Sequence, residues 1–221
     1  MIDLHINICA SPVSQSSGLQ IGEALHFAAL NGYRAVALVL QLGDLAIPPL
    51  KELRDSINTL SLHADMDAVL AVELMHLPPA LLPAAVDKAR EAGAALVMVH
   101  GETLTESVAE GTNFAAIEAG ADILCNAGLI DDQAAAYAAE KGVALELSCA
   151  PRHAFANAHI LNMARKHGCT LVAGSCASAA KEIVHPALRS LLYKGAGLSA
   201  EEERTMRMNA HRLLQKHSIL H

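Results

Sequence analysis

The sequence predicts an α/β barrel of seven parallel strands, and three observations predict it. Seven short apolar runs alternate with longer segments of helical spacing from one end of the chain to the other. Several helical segments stop at a glycine in the expected C-terminal place, as at Asn31-Gly32, Ala92-Gly93, Lys141-Gly142 and His167-Gly168. A polar residue closes nearly every apolar run, so a barrel would collect Asn7, Glu73, His100, Asn126, Ser148 and Ser175 on the face where such folds build their sites. An open doubly wound sheet is the rival. It would normally carry a glycine-rich loop after an early strand, and CASPVSQSSG after the first run is not GxGxxG.

The elements follow in order. The first strand is predicted over Ile2–Asn7, where His5 and Asn7 lie two residues apart and point to one side. A helix over Gly22–Asn31 leads to a strand over Ala35–Leu40, and a helix over Pro49–His63 leads to a strand over Ala68–Glu73. The next pairs are a helix over Pro79–Ala92 with a strand over Ala95–His100, and a helix over Asn113–Ala119 with a strand over Asp122–Asn126. Helices over Asp131–Lys141 and Asn157–His167 precede strands over Val143–Ser148 and Thr170–Ser175. A last helix, Ser199–Gln215, opens on S-A-E-E, the pattern of a capping box.

A chain of 221 residues is long enough to bury a real core, and no linker or low-complexity stretch divides it, so one domain over 1–221 is expected. A hydrophobic content of 52% argues against long disordered segments. No apolar run approaches the roughly 20 residues of a membrane helix. The N-terminus has no basic region and carries Asp3 and His5 in its first apolar segment, so no signal peptide is expected. A net charge of −7 without a basic stripe argues against nucleic acid as a partner. Five cysteines with no CxxC pair suit a reducing cytoplasm.

The stretches MIDLHIN, NGYRAVAL, LVMVHGETLTESVAEGTN, ADILCNAGLI, LELSCAPRHAFANAH and GAGLS carry a resemblance. In their order and spacing the chain resembles the PHP (polymerase and histidinol phosphatase) superfamily, and within it the small stand-alone phosphatase-like proteins. The resemblance implies a distorted (β/α)7 TIM-like barrel. It also implies up to three divalent metals that activate water to hydrolyse a phosphate ester.

Departures from the family pattern fall on the ligand positions. The His-x-His motif reads His5-Ile6-Asn7, and the acidic segment that follows reads Ser11-Pro12-Val13. The second strand ends Val39-Leu40-Gln41 in place of Thr-Asp-His. His-Pro-Gly has become Asn126-Ala127-Gly128, and Asp-Ala-His has become Cys176-Ala177-Ser178. The degenerate positions are therefore Asn7, Gln41, Asn126, Cys176 and Ser178. Of the family's metal ligands, His5, Glu73 and His100 remain. An amide oxygen supplies neither charge nor a nitrogen donor, so close-set divalent cations lose the carboxylates that hold them together.

The expectation is accordingly a chain with no tightly bound cofactor. The alternative is one divalent metal, zinc or manganese, on His5, Glu73 and His100, with Cys176 as a further thiolate ligand. Cys9, Cys125 and Cys149 read as small buried hydrophobes. Arg152, His153, Asn157 and His159 form a polar start to a helix and are candidates to bind a phosphorylated or otherwise anionic small ligand. The competing reading there is ordinary capping by Asn157. Thr112-Asn113 matches the family's GTN, but the basic residue that usually follows is Phe114, and Glu102 reads as a loop tie. Three functions follow from these residues. They are a catalytically degenerate pseudo-enzyme that keeps a ligand, a hydrolase with a reduced mononuclear site, and a structural or regulatory interaction module.

Overall fold

The computed structural model describes residues 1–9 and 18–216. Ser11-Pro12-Val13, the counterpart of the family's acidic segment, lies outside them. Seven strands form one parallel sheet in chain order: β1 Ile2–Ile8, β2 Ala35–Leu42, β3 Asp67–Leu74, β4 Leu96–His100, β5 Ile123–Cys125, β6 Ala144–Ser148 and β7 Leu171–Gly174. Each predicted strand is present, with its ends shifted by one or two residues. The helices are α1 Ile21–Leu30, α2 Lys51–His63, α3 Leu82–Glu91, α4 Thr112–Glu118, α5 Asp132–Lys141, α6 Pro151–Ala154, α7 Asn157–His167, α8 Pro186–Gly195 and α9 Ala200–Lys216. No helix among the described residues is long and apolar enough to cross a membrane.

The sheet curls into a nearly closed barrel. Between β1 and β7 a regular ladder gives way to the bridge Ile6–Ala177, in which Asn7 N donates to Ala177 O at 2.8 Å. A side chain completes the seam: Asp3 Oδ1 accepts from Ser175 N at 2.9 Å and from His5 N at 3.1 Å.

Apolar residues divide by face, because side chains alternate along a strand. The outward set packs against the helices and includes Val36, Leu38, Leu70, Val72, Val97, Val99 and Leu145. The inward set, with Leu4, Ala37, Val39, Ala71, Met98, Ile123 and Val172, fills the barrel. Ala210 and Leu214 of α9 join that inner set, and Asn209 Nδ2 donates to Leu171 O at the start of β7. The last helix therefore closes the N-terminal end of the barrel and leaves the polar strand ends at the other. Its capping box forms as the sequence predicts: Ser199 Oγ accepts from Glu202 N at 3.2 Å, and Glu202 Oε2 from Ser199 N at 2.8 Å.

Two helices are absent from the sequence reading, α6 and α8. In α8 only Arg189 and Tyr193 are buried, so it lacks the wide apolar stripe that marks a helix from sequence. It is held by polar contacts instead. Arg189 donates to Ile2 O at 2.7 Å and lies 3.9 Å from Asp3, while Tyr193 Oη donates to Leu147 O at 3.1 Å.

Candidate functional site

A β-bulge aims the first site residue. From Asp3 to Ile6 the chain advances three residues against two on β2, Val36 to Leu38. Leu4 faces the barrel interior before the bulge, and Ile6 and Ile8 face the helices after it. His5 and Asn7 are thereby turned inward together. On the other strands plain alternation does the same. Gln41 follows Ala35, Ala37 and Val39; Glu73 follows Val69 and Ala71; His100 follows Leu96 and Met98; Glu146 and Ser148 follow Ala144.

His5 sits between two buried carboxylates. Its Nδ1 lies 3.0 Å from Glu146 Oε1 and its Nε2 lies 3.4 Å from Glu73 Oε2. Glu73 is engaged on both oxygens: Oε1 is 3.0 Å from His100 Nδ1, and Oε2 accepts from Gln41 Nε2 at 2.8 Å. Gly174 makes room for this packing, since a Cβ there would collide with Glu146 Oε1 and with the Cβ of His5. Burial disfavours charge on His5, yet Cys176, Glu146 and Glu73 around it raise its pKa well above the ordinary histidine value. Burial likewise opposes charge on Glu73, but His5 and His100 hold its carboxyl well below the usual range.

Glu146 is the residue that sequence reading missed. Flanked by leucines in LELS, it reads as a mid-strand residue, while attention falls on the polar strand end at Ser148. The signal that finds it is the shared face of Ala144, Glu146 and Ser148, two residues apart, in a strand already assigned to a barrel.

The degenerate ligand positions are engaged in hydrogen bonds to one another and to their neighbours. Asn7 Nδ2 donates to Ser178 Oγ at 3.1 Å and Cys176 O at 3.4 Å. Asn126 Nδ2 lies 3.3 Å from His100 Nδ1. Cys176 Sγ accepts from Ser148 Oγ at 3.2 Å and is 3.5 Å from His5 Nδ1. Burial, with Glu146 beside it, pushes the Cys176 thiol up to about 12. Cys9, Cys125 and Cys149 are buried free thiols. The Asn7 and Asn126 Oδ1 atoms and the His5 and His100 Nε2 atoms are buried without a hydrogen-bond partner among the described residues.

A second cluster lies where β4 opens. His100 Nε2 is 3.3 Å from Glu106 Oε2, and His153 Nε2 is 3.8 Å from Glu106 Oε1. His76 Nε2 is 3.8 Å from Glu106 Oε2, and Arg152 lies 3.7 Å from its other oxygen. Burial, followed by the nearby His100 and Arg152, lowers His153 to about 4. Glu106 and His76 belong to no pattern in the sequence and become visible only when the loops after β3 and β4 meet.

The four residues expected to hold an anion are divided between different tasks. Arg152 and His153 stand beside Glu106. Asn157 is buried and spends its amide on Ser148, accepting from the backbone N at 3.0 Å and donating to the O at 2.8 Å. The first helical residue of α7 is Asn157 itself, and no side chain caps that helix. His159 Nε2 lies 2.7 Å from Ile130 O. Glu102 and Asn113 tie the loop after β4 reciprocally: Glu102 N donates to Asn113 Oδ1 at 3.0 Å, and Asn113 N to Glu102 Oε1 at 2.8 Å.

Two sets of three side chains bring one donor atom each within 4.8 Å of one another: His5, Cys125 and Glu146, and His100, Glu106 and His153. His5, Glu73 and His100 are arranged differently, with Glu73 between the two imidazoles. The interior donor set does not fit a multinuclear metal cluster. Each carboxylate of Glu73 and Glu146 already faces the His5 ring, and Gln41 and Asn126 contribute neutral amides where close-set cations need carboxylate charge.

No family model matches the chain. An uncharacterized protein from Methanocaldococcus jannaschii is 33% identical over 139 residues, 62% of this chain and 64% of that relative. The match thus spans less than two thirds of either protein. A chain of archaeal ribonuclease P, in a cryo-EM structure with mature tRNA, is 18% identical with a TM-score of 0.74, covering 99% of this chain and 91% of that one. A Xaa-Pro dipeptidase with bound methionine in its active site is 15% identical with a TM-score of 0.68, covering 98% and 75%. The histidinol phosphate phosphatase of Lactococcus lactis, complexed with zinc, L-histidinol and phosphate, is 16% identical with a TM-score of 0.61, covering 90% and 94%. These likenesses establish a TIM-like α/β barrel shared with hydrolases.

Proposed function

We propose that this chain is a non-catalytic barrel of PHP type, a pseudo-enzyme in which a network of protein charges stands where the family sets its metal cluster. One observation carries the reading: the two nitrogens of His5 face Glu73 and Glu146, while Glu73 also receives Gln41 and His100. Part of the carboxylate charge that a cation cluster would balance is met by His5 within the protein. Without such a cluster the His5–Glu73–Glu146 network itself supplies nothing that lowers the pKa of a bound water from about 15.7 towards neutrality. Arg152, mostly exposed beside Glu106 and His153, is a cation at the mouth and gives the barrel a binding role toward a small anion. The likeness to a ribonuclease P chain lends a fold, and the net charge of −7 argues against a phosphate-backbone surface.

The test is metal analysis of protein purified without chelator, together with turnover of p-nitrophenyl phosphate in added Zn2+ or Mn2+. The expected result is no turnover and at most one metal per chain. Two or more metals per chain, with turnover that chelator abolishes and His5→Gln removes, would overturn the reading.

A further inference from the structure

We propose that His100, Glu106 and His153 form a binding site for a single divalent cation of the zinc class at the barrel mouth, adjoining the His5–Glu73–Glu146 network through Glu73. The site goes beyond the non-catalytic reading and does not depend on it.

The donor set comes first. Two imidazoles and one carboxylate place one ligand atom each within 4.8 Å of one another. That combination suits zinc, with a fourth position left for water or an anion. Both imidazoles are also oriented from behind, as metal-bound histidines are. His100 Nδ1 is held by Glu73 Oε1 at 3.0 Å, and His153 Nδ1 by Thr103 Oγ1 at 2.8 Å. Each ring therefore turns its Nε2 toward Glu106, at 3.3 Å and 3.8 Å.

An independent observation points to a ligand. His100 is 2% exposed, and its Nε2 has no hydrogen-bond partner among the described residues although it is aimed at the Glu106 carboxylate. An imidazole nitrogen so buried normally finds a partner, and a cation between it and Glu106 supplies one. Arg152 donates to His153 Nε2 at 3.0 Å and is the group a cation must displace. Its side chain is 61% exposed, so it can turn to solvent or to an anion in the fourth position. His76, 3.8 Å from Glu106, adds an imidazole on the solvent side.

The experiment is titration of chelator-stripped protein with Co2+, read by the visible ligand-field bands of a low-symmetry site, followed by competition with Zn2+. One equivalent of Co2+ is expected, displaced by one of Zn2+. Glu106→Gln and His153→Ala should each weaken binding at least 100-fold, while His63→Gln, at the exposed end of α2, should bind as wild type; circular dichroism confirms that each variant is folded. Glu106 is partly exposed, so Glu106→Gln keeps the test available if His153→Ala does not fold. No bands in the wild type, or bands unaffected by both substitutions, would overturn the site, as would their loss in folded His63→Gln, which would place the cobalt on a surface histidine. Turnover of p-nitrophenyl phosphate by the zinc-loaded protein would overturn the non-catalytic reading and leave the site standing.

Discussion

Glu146 holds the Nδ1 of His5 with both carboxylate oxygens, at 3.0 Å and 3.1 Å, in the buried interior of the barrel. With Glu73 on the opposite nitrogen, His5 becomes the positive centre of a three-residue array. A buried charge array is costly to assemble and costlier to leave half assembled, because a removed partner strands the other charge away from water.

Glu146→Gln should therefore destabilise the protein by about 3–5 kcal/mol at neutral pH, the usual cost of breaking a buried pair. The double variant His5→Gln/Glu146→Gln should lose less than the sum of the two single changes, since both partners have gone together. Urea unfolding of the four proteins measures the coupling. Additive losses would show that the contact carries no energy.

The same array sets a pH window. Glu73 is held below its ordinary value of 4.5, so its contribution is present above that pH and is lost as pH falls through the lowered folded value. His5 is raised above its ordinary value of 6.5, so its contribution is full below that pH and is lost as pH rises through the raised value. Stability of chelator-treated protein should be greatest between these limits and fall on both sides. In thermal melts from pH 3 to 10, His5→Gln should flatten the alkaline limb; an unchanged limb would assign it to other groups.

The strand ends are legible because a polar residue closing an apolar run is unusual, which marks Glu73 and His100, whereas the grouping of His5 with them rests on the resemblance. Glu146 was hidden by position, since an inward carboxylate between two leucines looks like an outward one until the register is known. Glu106 lay in TLTESVAEG, where no periodicity marks one acid from another. Asn157 looked like a helix cap, but its amide is drawn to the Ser148 backbone across the β6–α7 connection. α8 escaped because its anchors are an arginine on Asp3 and a tyrosine on backbone carbonyls, contacts that exist only after the barrel has formed.

Gly174→Ala tests how tightly the array is packed. The added methyl would meet Glu146 Oε1 and the His5 Cβ, neither of which can retreat from the barrel interior. Overpacking of this kind costs about 1–3 kcal/mol, and here it also displaces one partner of a buried pair. The expected loss in urea unfolding is at least about 3 kcal/mol, and it should shrink when Glu146→Gln is already present. A neutral Gly174→Ala would mean that the array relaxes freely.

The thiols separate a neutral Cys176 from an activated one. Burial, with Glu146 beside it, pushes Cys176 up to about 12, and burial also raises Cys149 to about 12. At pH 8 only about one thiol in ten thousand is then a thiolate, and neither sulfur is open to reagent. Native protein treated with iodoacetamide at pH 8 should therefore leave Cys149 and Cys176 unmodified, whereas urea should expose both; peptide mass spectrometry reads each site. Rapid native modification of Cys176 would reveal a thiolate stabilised by His5. That outcome would replace the picture of a histidine held by two carboxylates with that of a nucleophilic Cys–His pair at the same position.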